Sequence, residues 1–267
     1  MFARNQRRTA FPLLVITLIL LSVVCTPTTG YASANAGAAY IALGDSIEFG
    51  LGAISEPGYV YQLHSELPGY LGVDSVDLYN LAQPGATVRD IKQQQLKPAV
   101  ATIENYEGDK VVILWGGGGN DLLQFILSPE AATCRQEVSC LNRLNALLKE
   151  MEQTVDHTIR DLRLAAGPDA TILVRTQYNS LAKSGYPIVQ RTQLADIALE
   201  GFPGSPLERG LNDRLRSIAG RYGAQIVDLY LPFRSVPDLL ISNDFIHPND
   251  AGHAKILELA IDALNAN

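Results

Sequence analysis

Three side chains of this sequence have the types that nucleophilic catalysis requires. Ser46 follows an apolar run, 39–44, so its hydroxyl would lie where a buried strand ends. A neutral hydroxyl is a poor nucleophile and needs a base, which itself needs an orienting group. His247 suits the role of base at neutral pH, and Asp244 stands three residues before it. The alternative is an ordinary strand-to-helix turn, since Asp and Ser are favoured helix caps.

The chain has four histidines, and their settings differ. His64 and His157 fall inside helical patterns, where a place on the surface or on a helix flank is expected. His253 falls in the last predicted helix, and we expect it to be solvated. His247 lies between the last strand and the last helix, and Pro248 disfavours helical backbone at the preceding residue. His247 is therefore the predicted base.

Acyl-transfer chemistry also needs hydrogen-bond donors for the oxyanion that forms. Gly85 has no side chain, so its N–H could approach a substrate closely. Asn120 offers a carboxamide N–H after the glycine run 116–119. The simpler interpretations are a turn after a proline for Gly85 and a helix cap for Asn120.

Short apolar runs alternate with helical patterns along the chain. Runs rich in Val, Ile, Leu and Tyr predict strands that are buried on both faces; they are 39–44, 75–81, 110–116, 170–176 and 224–230. Helical spacing is found at 59–67, 120–127, 141–166, 207–222 and 250–264. This alternation predicts an α/β fold with a parallel sheet of about five strands and helices on both faces.

The predicted fold brings the candidate residues to one place. Ligands bind beyond the carboxyl ends of the strands in such sheets. Ser46 follows the first run, the loop 82–87 follows the second, and the loop 116–121 follows the third. We therefore expect the three loops to meet at one sheet edge.

Four segments together resemble the GDSL, or SGNH, hydrolase family: "GDSI", "NLAQPGAT", "GGGGND" and "DFIHPNDAGHAKI". The similarity covers residues 40–264. The resemblance implies a flavodoxin-like three-layer sandwich. It also implies ester hydrolysis through an acyl-enzyme, with no metal or cofactor and with a small-molecule ester as substrate. Acyl or acetyl esters of lipids, sugars or small alcohols all remain open, as a lysophospholipase, a short-chain acyl esterase or a carbohydrate deacetylase would use them. Ser46 would be the nucleophile, His247 the base and Asp244 its orienter. The Ser46 N–H, the Gly85 N–H and the Asn120 side chain would form the oxyanion hole.

The sequence departs from the family pattern at a few positions. Ile47 replaces the commonest leucine, and the glycine run before Asn120 is longer than usual. Glu48 stands where a small or neutral polar residue is more usual, so it would either raise the pKa of His247 or cap a helix. Glu48 also occupies the place of the second glycine of a G-x-S-x-G elbow, which argues against the α/β-hydrolase fold.

Other functions are compatible with parts of this pattern. An acyltransferase would use the same acyl-enzyme but pass the acyl group to an alcohol. A non-catalytic extracellular binding protein on the same fold predicts a broken triad, whereas here every member is present. A nucleotide-binding role is disfavoured, because the glycines at 116–119 match neither the dinucleotide fingerprint nor the P-loop.

The N-terminus predicts export. Three arginines precede a short apolar stretch, 11–25, and a small-residue cleavage motif follows at 32–34. This order indicates a signal peptide over 1–34, which leaves one hydrolase domain over 35–267 and a secreted or cell-surface protein. The alternative is an uncleaved membrane anchor, although the stretch is shorter than the roughly 20 residues of a spanning helix.

Charge and cysteines agree with an exported domain that acts on a neutral ester. Removing 1–34 takes away three arginines and changes the net charge from −7 to −10. Such an acidic domain repels phosphate backbones, so nucleic acid is not an expected partner. Cys134 and Cys140 predict one local disulfide, and two thiols without a third ligand make a poor zinc site.

A segment of about 30 residues separates the fourth strand from the helix at 207–222. Most connections in α/β units are much shorter, and long loops often carry function. The simpler interpretation is a surface loop with one extra helix. The functional hypothesis is that the segment overhangs Ser46 and that Tyr186, Ile188 and Phe202 line the substrate pocket.

Overall fold

Five parallel strands form one central sheet in the computed structural model, which describes residues 37–108 and 110–266. The strands are β1 (Ala38–Leu43), β2 (Val76–Asn80), β3 (Lys110–Gly116), β4 (Thr171–Arg175) and β5 (Gln225–Val227). Their order across the sheet is β2-β1-β3-β4-β5. This is the flavodoxin-like order, whose switch point lies between β1 and β3. The predicted α/β fold is confirmed.

Eleven helices surround the sheet in the described part of the chain. They are α1 (Ser46–Phe49), α2 (Tyr59–Leu71), α3 (Val88–Asp90), α4 (Leu96–Asn105), α5 (Gly119–Ile126), α6 (Val138–Ala166), α7 (Val189–Glu200), α8 (Leu211–Arg221), α9 (Tyr230–Ser235), α10 (Pro237–Leu240) and α11 (Asp250–Asn265). A π-helical turn, Ile91–Gln95, joins α3 to α4, and two 3-10 helices cover Pro129–Gln136 and Ser180–Ala182.

Alternating side chains of each strand enter two separate cores. Ala39, Ile41 and Leu43 of β1 face the core that α3 to α8 cover. Ala38, Tyr40 and Ala42 face the second core, beneath α2 and α9 to α11. The sheet is therefore covered on both faces, which explains why its strands show continuous apolar runs.

A disulfide joins Cys134 to Cys140, and both cysteines are buried. It links the 3-10 helix Pro129–Gln136 to the first turn of α6.

The signal peptide predicted over 1–34 lies outside the described residues. Within the described ranges, none of the helices combines the length and the apolar character that crossing a membrane requires.

Candidate active site

Ser46 is the first residue of α1, directly beyond the end of β1. The Asp45 carboxylate accepts a hydrogen bond from the Ile47 N–H at 3.0 Å, and the Glu48 carboxylate accepts one from the Asp45 N–H at 3.1 Å. These two bonds form a capping box. Asp45 is therefore the residue that caps the helix, and the Ser46 hydroxyl remains available to another partner.

A hydrogen-bonded chain links three residues that the sequence analysis proposed. The Ser46 Oγ lies 2.9 Å from the Nε2 of His247. The Nδ1 of the same ring lies 2.6 Å from the Oδ2 of Asp244. Since Nδ1 donates to the carboxylate, Nε2 is left with a lone pair directed at the serine hydroxyl. This arrangement can remove the proton of Ser46 when its oxygen attacks an electrophile.

The loop that carries Asp244 and His247 is fastened by its own hydrogen bonds. The Ser242 N–H donates to the His247 carbonyl at 2.8 Å. The Oδ1 of Asp244 accepts from the Ser242 hydroxyl at 2.5 Å and from the N–H groups of Ile246 and His247 at 2.9 and 3.0 Å. Partial burial acts to raise the pKa of Asp244, but these bonds and the imidazole lower it well below its usual range. The carboxylate is therefore ionised at neutral pH.

His253 is fully buried, so the expectation of a solvated histidine is wrong. Its Nε2 lies 3.0 Å from the Leu51 carbonyl oxygen, and its Nδ1 lies 3.3 Å from the Tyr59 N–H. Gly52 directly follows Leu51 in this loop. Only glycine fits there, because a Cβ would lie 2.0 Å from the Pro248 carbonyl oxygen. His253 thus holds a loop that lies against the backbone beside His247.

Gly85 lies in a tight turn at the end of the loop that follows β2. The Ala86 N–H donates to the Gln83 carbonyl at 3.1 Å, and Gly85 has φ +83°. A proline followed by a residue with positive φ is the pattern of a type II turn, which needs glycine at this place. In the part of the chain that the structure describes, the N–H groups of Gly85 and Ser46 donate to no protein acceptor.

Asn120 is the second residue of α5. Its amide donates one hydrogen bond to the Ala86 carbonyl at 3.0 Å, next to the Gly85 turn. A carboxamide has a second N–H, and Asn120 lines the same pocket as Ser46. The helix-cap alternative does not apply to it, because Gly118 caps α5 without a side-chain bond.

The family model for the GDSL-like lipase/acylhydrolase family matches residues 42–255. The chain belongs to this family. A comparison with curated protein sequences gave no significant match.

Solved structures with a similar fold include lipases and an esterase. An extracellular lipase from Streptomyces rimosus is 20% identical, with a TM-score of 0.58, over 85% of this chain and 99% of that one. A lipase from a goat rumen metagenome is 21% identical, with a TM-score of 0.66, over 84% and 96%. An acetylxylan esterase from Geobacillus stearothermophilus is 20% identical, with a TM-score of 0.53, over 86% and 94%.

Glu48, the departure from the GDSL pattern beside the candidate nucleophile, is fully buried in an ion pair with Arg175. The guanidinium binds both carboxylate oxygens, at 2.5 and 3.1 Å, and the Tyr59 hydroxyl donates to the same carboxylate at 2.7 Å. Burial acts to raise the pKa of Glu48, but Arg175 and Tyr59 keep it below its usual value. Glu48 is therefore an ionised residue beneath α1 that both caps the helix and pairs with β4.

Asp45 shares this buried site, and its carboxylate lies 3.9 Å from the Arg175 guanidinium. Burial and the neighbouring Glu48 charge raise the pKa of Asp45 to about 7, against the opposing charge of Arg175. Arg175 thus pairs with the ionised Glu48 carboxylate, whereas the Asp45 carboxyl binds a proton more readily than an ordinary aspartate does.

The backbone before the candidate nucleophile is held by a glutamine from the π-helical turn. The buried Gln95 side chain accepts from the Gly44 N–H at 2.8 Å and donates to the Gly44 carbonyl at 2.9 Å. π-turns occur often at functional sites. Pro98, three residues later, has no N–H to donate to the preceding turn, which accords with the irregular winding there.

A pocket of about 530 Å³, part of it open to solvent, adjoins Ser46. Besides Ser46 and Asn120, its lining is dominated by apolar side chains of α5, the β4–α7 connection and α7; these are Leu122, Leu123, Ile126, Leu181, Ala195 and Leu199. The long segment after β4 does contribute, as the functional hypothesis stated. The three residues singled out from the sequence do not line this pocket.

Tyr186, Ile188 and Phe202 lie elsewhere on the same segment. Tyr186 packs edge-on against Phe245, with ring centroids 5.9 Å apart. Ile188 precedes α7 and is half-buried, and Phe202 follows α7 with 56% of its surface exposed. Sequence alone identified the segment, but the winding of α7 decides which of its side chains face Ser46.

Proposed function

We propose that this GDSL-family protein is a serine hydrolase that cleaves carboxylic esters through an acyl-enzyme. The proposal rests on one observation above all: the chain of hydrogen bonds from Ser46 through His247 to Asp244. Membership of the family and the fold shared with lipases and esterases support ester hydrolysis.

Acylation begins when the Ser46 oxygen attacks the ester carbonyl carbon. The Nε2 of His247 takes the hydroxyl proton, and Asp244 stabilises the imidazolium that forms. The carbonyl oxygen becomes an oxyanion, which the N–H groups of Ser46 and Gly85 and the free N–H of Asn120 would stabilise. The bond to the alcohol oxygen then breaks as His247 protonates that oxygen, and the alcohol leaves.

Deacylation repeats these steps with water as the nucleophile. His247 takes a proton from the water as its oxygen bonds to the acyl carbon, and the same three donors would hold the oxyanion. Collapse of this intermediate releases the carboxylic acid and returns the proton to the Ser46 oxygen. No redox step occurs, and every proton passes through His247.

The direct test compares ester hydrolysis by the wild type with that by Ser46→Ala. We expect the purified wild type to hydrolyse p-nitrophenyl acetate or butyrate and Ser46→Ala to lose this activity while keeping its circular dichroism spectrum. Ser65→Ala is the matched control, because the Ser65 hydroxyl is exposed and donates within α2. A Ser46→Ala variant as active as Ser65→Ala would refute the proposal.

An acyltransferase would use the same chain of residues, so the products decide between the two activities. With an added alcohol such as glycerol, a hydrolase should yield mainly free acid, and a transferase should yield mainly the new ester. Water can reach the site, since the His247 side chain is 17% exposed and that of Asp244 is 46% exposed.

We further propose that the protein is exported. The basis is the arginine-led apolar stretch at 11–25 together with the Cys134–Cys140 disulfide, since disulfides persist mainly in oxidising compartments. N-terminal sequencing of protein from the culture medium should begin near residue 35. A protein that stays in the cytoplasm with its first residues intact would contradict this.

A further inference from the structure

The pocket beside Ser46 offers mainly apolar surface. Eight aliphatic side chains line it. Six come from α5, from the 3-10 helix Ser180–Ala182 and from α7, and the other two are Ile47 and Ile246. Most of them are almost fully buried, with Leu122, Ile126 and Leu181 each at 2–3% exposure. Pockets that bind small molecules are mostly lined by apolar side chains. We therefore expect an aliphatic part of the ligand to enter this pocket.

The amide side chains in the lining are engaged with the protein itself. The Gln177 amide donates to the Gly117 carbonyl at 2.6 Å. The Asn179 amide donates to the Thr192 carbonyl and to Asp196, and its oxygen accepts from the Leu181 N–H. The amide nitrogens of Gln177 and Asn179 are therefore not free to bind a sugar hydroxyl that has lost its bonds to water.

The pocket also offers little aromatic surface to a sugar ring. Tyr178 is the one aromatic residue of its lining among the described residues. Its ring stacks on Phe233 with centroids 4.3 Å apart, and its hydroxyl donates to the Ile246 carbonyl at 2.6 Å. One face of the Tyr178 ring and its hydroxyl are thus already engaged.

The position of the pocket relative to His247 identifies which part of an ester enters it. The leaving oxygen must lie within reach of the His247 Nε2, which protonates it. Among the described residues, the lining includes the candidate oxyanion donor Asn120 and Ile246, the residue before His247, but not the His247 side chain itself. We therefore assign the pocket to the acyl chain and the side of His247 to the leaving alcohol.

We propose that this pocket holds an aliphatic acyl chain longer than acetyl, so that the enzyme prefers esters of medium-chain fatty acids, with Leu123 of α5 and Ala195 of α7 contacting the chain. This inference rests on the proposed ester hydrolysis. It selects among the substrate classes that the sequence left open. It also assigns the selection of acyl chain length to α5 and α7 rather than to Tyr186, Ile188 and Phe202.

The first experiment measures kcat/KM of the wild type on p-nitrophenyl esters from acetyl to palmitoyl, with acetylated xylan oligosaccharides alongside. Burial of each methylene should raise kcat/KM about two- to fourfold until the pocket is full. We expect a maximum at medium length and weak activity on the acetylated sugar. A profile that is flat or falls from acetyl onwards would overturn the proposal.

Two variants test the assigned residues. Ala195→Phe fills the pocket and should lower the ratio of octanoyl to acetyl kcat/KM about tenfold or more. Leu123→Ala removes contact with the chain and should lower this ratio about three- to tenfold. Leu123 is only partly buried, so its truncation is compatible with folding even where Ala195→Phe is not.

Val189→Phe is the matched control. It places the same large ring on α7, but Val189 is 62% exposed and does not line the pocket. It should keep the wild-type ratio within about twofold. If Leu123→Ala keeps the wild-type ratio as well, the assignment of the pocket is wrong.

A binding measurement keeps this inference separate from the proposed catalysis. Octanoate should raise the Tm of Ser46→Ala, whereas acetate at the same concentration should not, because only the longer chain fills the pocket. Octanoate binding without ester hydrolysis by the wild type would refute the catalytic proposal alone. Hydrolysis of acetyl esters without octanoate binding would refute the acyl pocket alone.

Discussion

The Arg175 guanidinium holds both carboxylate oxygens of Glu48, and 127 residues separate the two in sequence. Both side chains are fully buried. The pair ties the carboxyl end of β4 to the helix that begins with Ser46. Glu48 departs from the family pattern, and the sequence allowed it either to raise the pKa of His247 or to cap a helix. The structure shows it capping α1 and pairing with Arg175.

Glu48→Gln should destabilise the protein strongly. The change keeps the shape of the side chain but leaves the buried Arg175 charge with only the more distant Asp45 carboxyl, at 3.9 Å. Breaking a buried ion pair costs about 3–5 kcal/mol in such settings. Urea unfolding at neutral pH measures the loss. Glu150→Gln is the control, because Glu150 pairs with Arg89 on the surface and should cost less than about 1 kcal/mol. Equal losses from the two variants would contradict the account.

Asp45→Asn should change how stability depends on pH. Burial beside Glu48 raises the pKa of Asp45 to about 7 from an unfolded value of 3.8. The native state therefore binds this proton more tightly than the unfolded chain. The stability that the proton contributes is fully present below the unfolded pKa and is lost as pH rises through the native pKa.

The measurement is the free energy of unfolding by urea for the wild type and Asp45→Asn, at several pH values. The free energy of unfolding of the wild type minus that of the variant should fall between about pH 4 and 7 and become constant above about pH 8. Asparagine keeps the oxygen that accepts the Ile47 N–H, so the helix cap remains in both proteins. A difference that does not vary with pH would show that Asp45 titrates normally.

Asn120→Ala should lower kcat about 10²–10³-fold and leave KM nearly unchanged. Loss of one oxyanion donor has this effect, because the bond is strongest in the transition state. Steady-state kinetics on one p-nitrophenyl ester provide both constants. Asn145→Ala serves as the control, since the Asn145 amide donates to a carbonyl oxygen far from Ser46 in the chain. A large rise in KM with constant kcat would make Asn120 a substrate-binding residue instead.

His247→Ala and Asp244→Asn should differ in severity. Losses of about 10⁶-fold for the base and about 10⁴-fold for its orienter are typical of Ser-His-Asp sites. Stopped assays with high enzyme concentration can resolve both rates. Asp250→Asn is a suitable control, because Asp250 accepts from the N–H groups of Ile54 and Ser55 and does not contact the imidazole. Wild-type activity in His247→Ala would exclude it as the base.

The strands were predictable from sequence because each is a continuous apolar run. The predicted run 110–116 coincides with β3, and the other four strands agree within a few residues. The helix between β2 and β3 was not predicted. Its residues 92–95 read Lys-Gln-Gln-Gln and Pro98 follows, so the apolar spacing is interrupted where the π-helical turn forms.

The candidate triad was predictable because Asp244 and His247 are close in sequence and Ser46 follows the first strand. The Glu48–Arg175 pair was not, because nothing local to either residue indicates a partner on another strand. The buried role of His253 was missed for the same reason, since its partners Leu51 and Tyr59 lie about 200 residues away. Long-range contacts of this kind follow from the order of the strands rather than from local spacing.

The measurement that tests the central claim most directly is covalent labelling with a serine-directed phosphonate, followed by mass spectrometry of the peptides. We expect one adduct per molecule, on Ser46, with loss of ester hydrolysis in proportion to labelling. The adduct should be absent from Ser46→Ala and should form far more slowly in His247→Ala, because the hydroxyl then lacks its base. Stoichiometric labelling of a different serine, with Ser46→Ala still active, would contradict the assignment of Ser46 as the nucleophile.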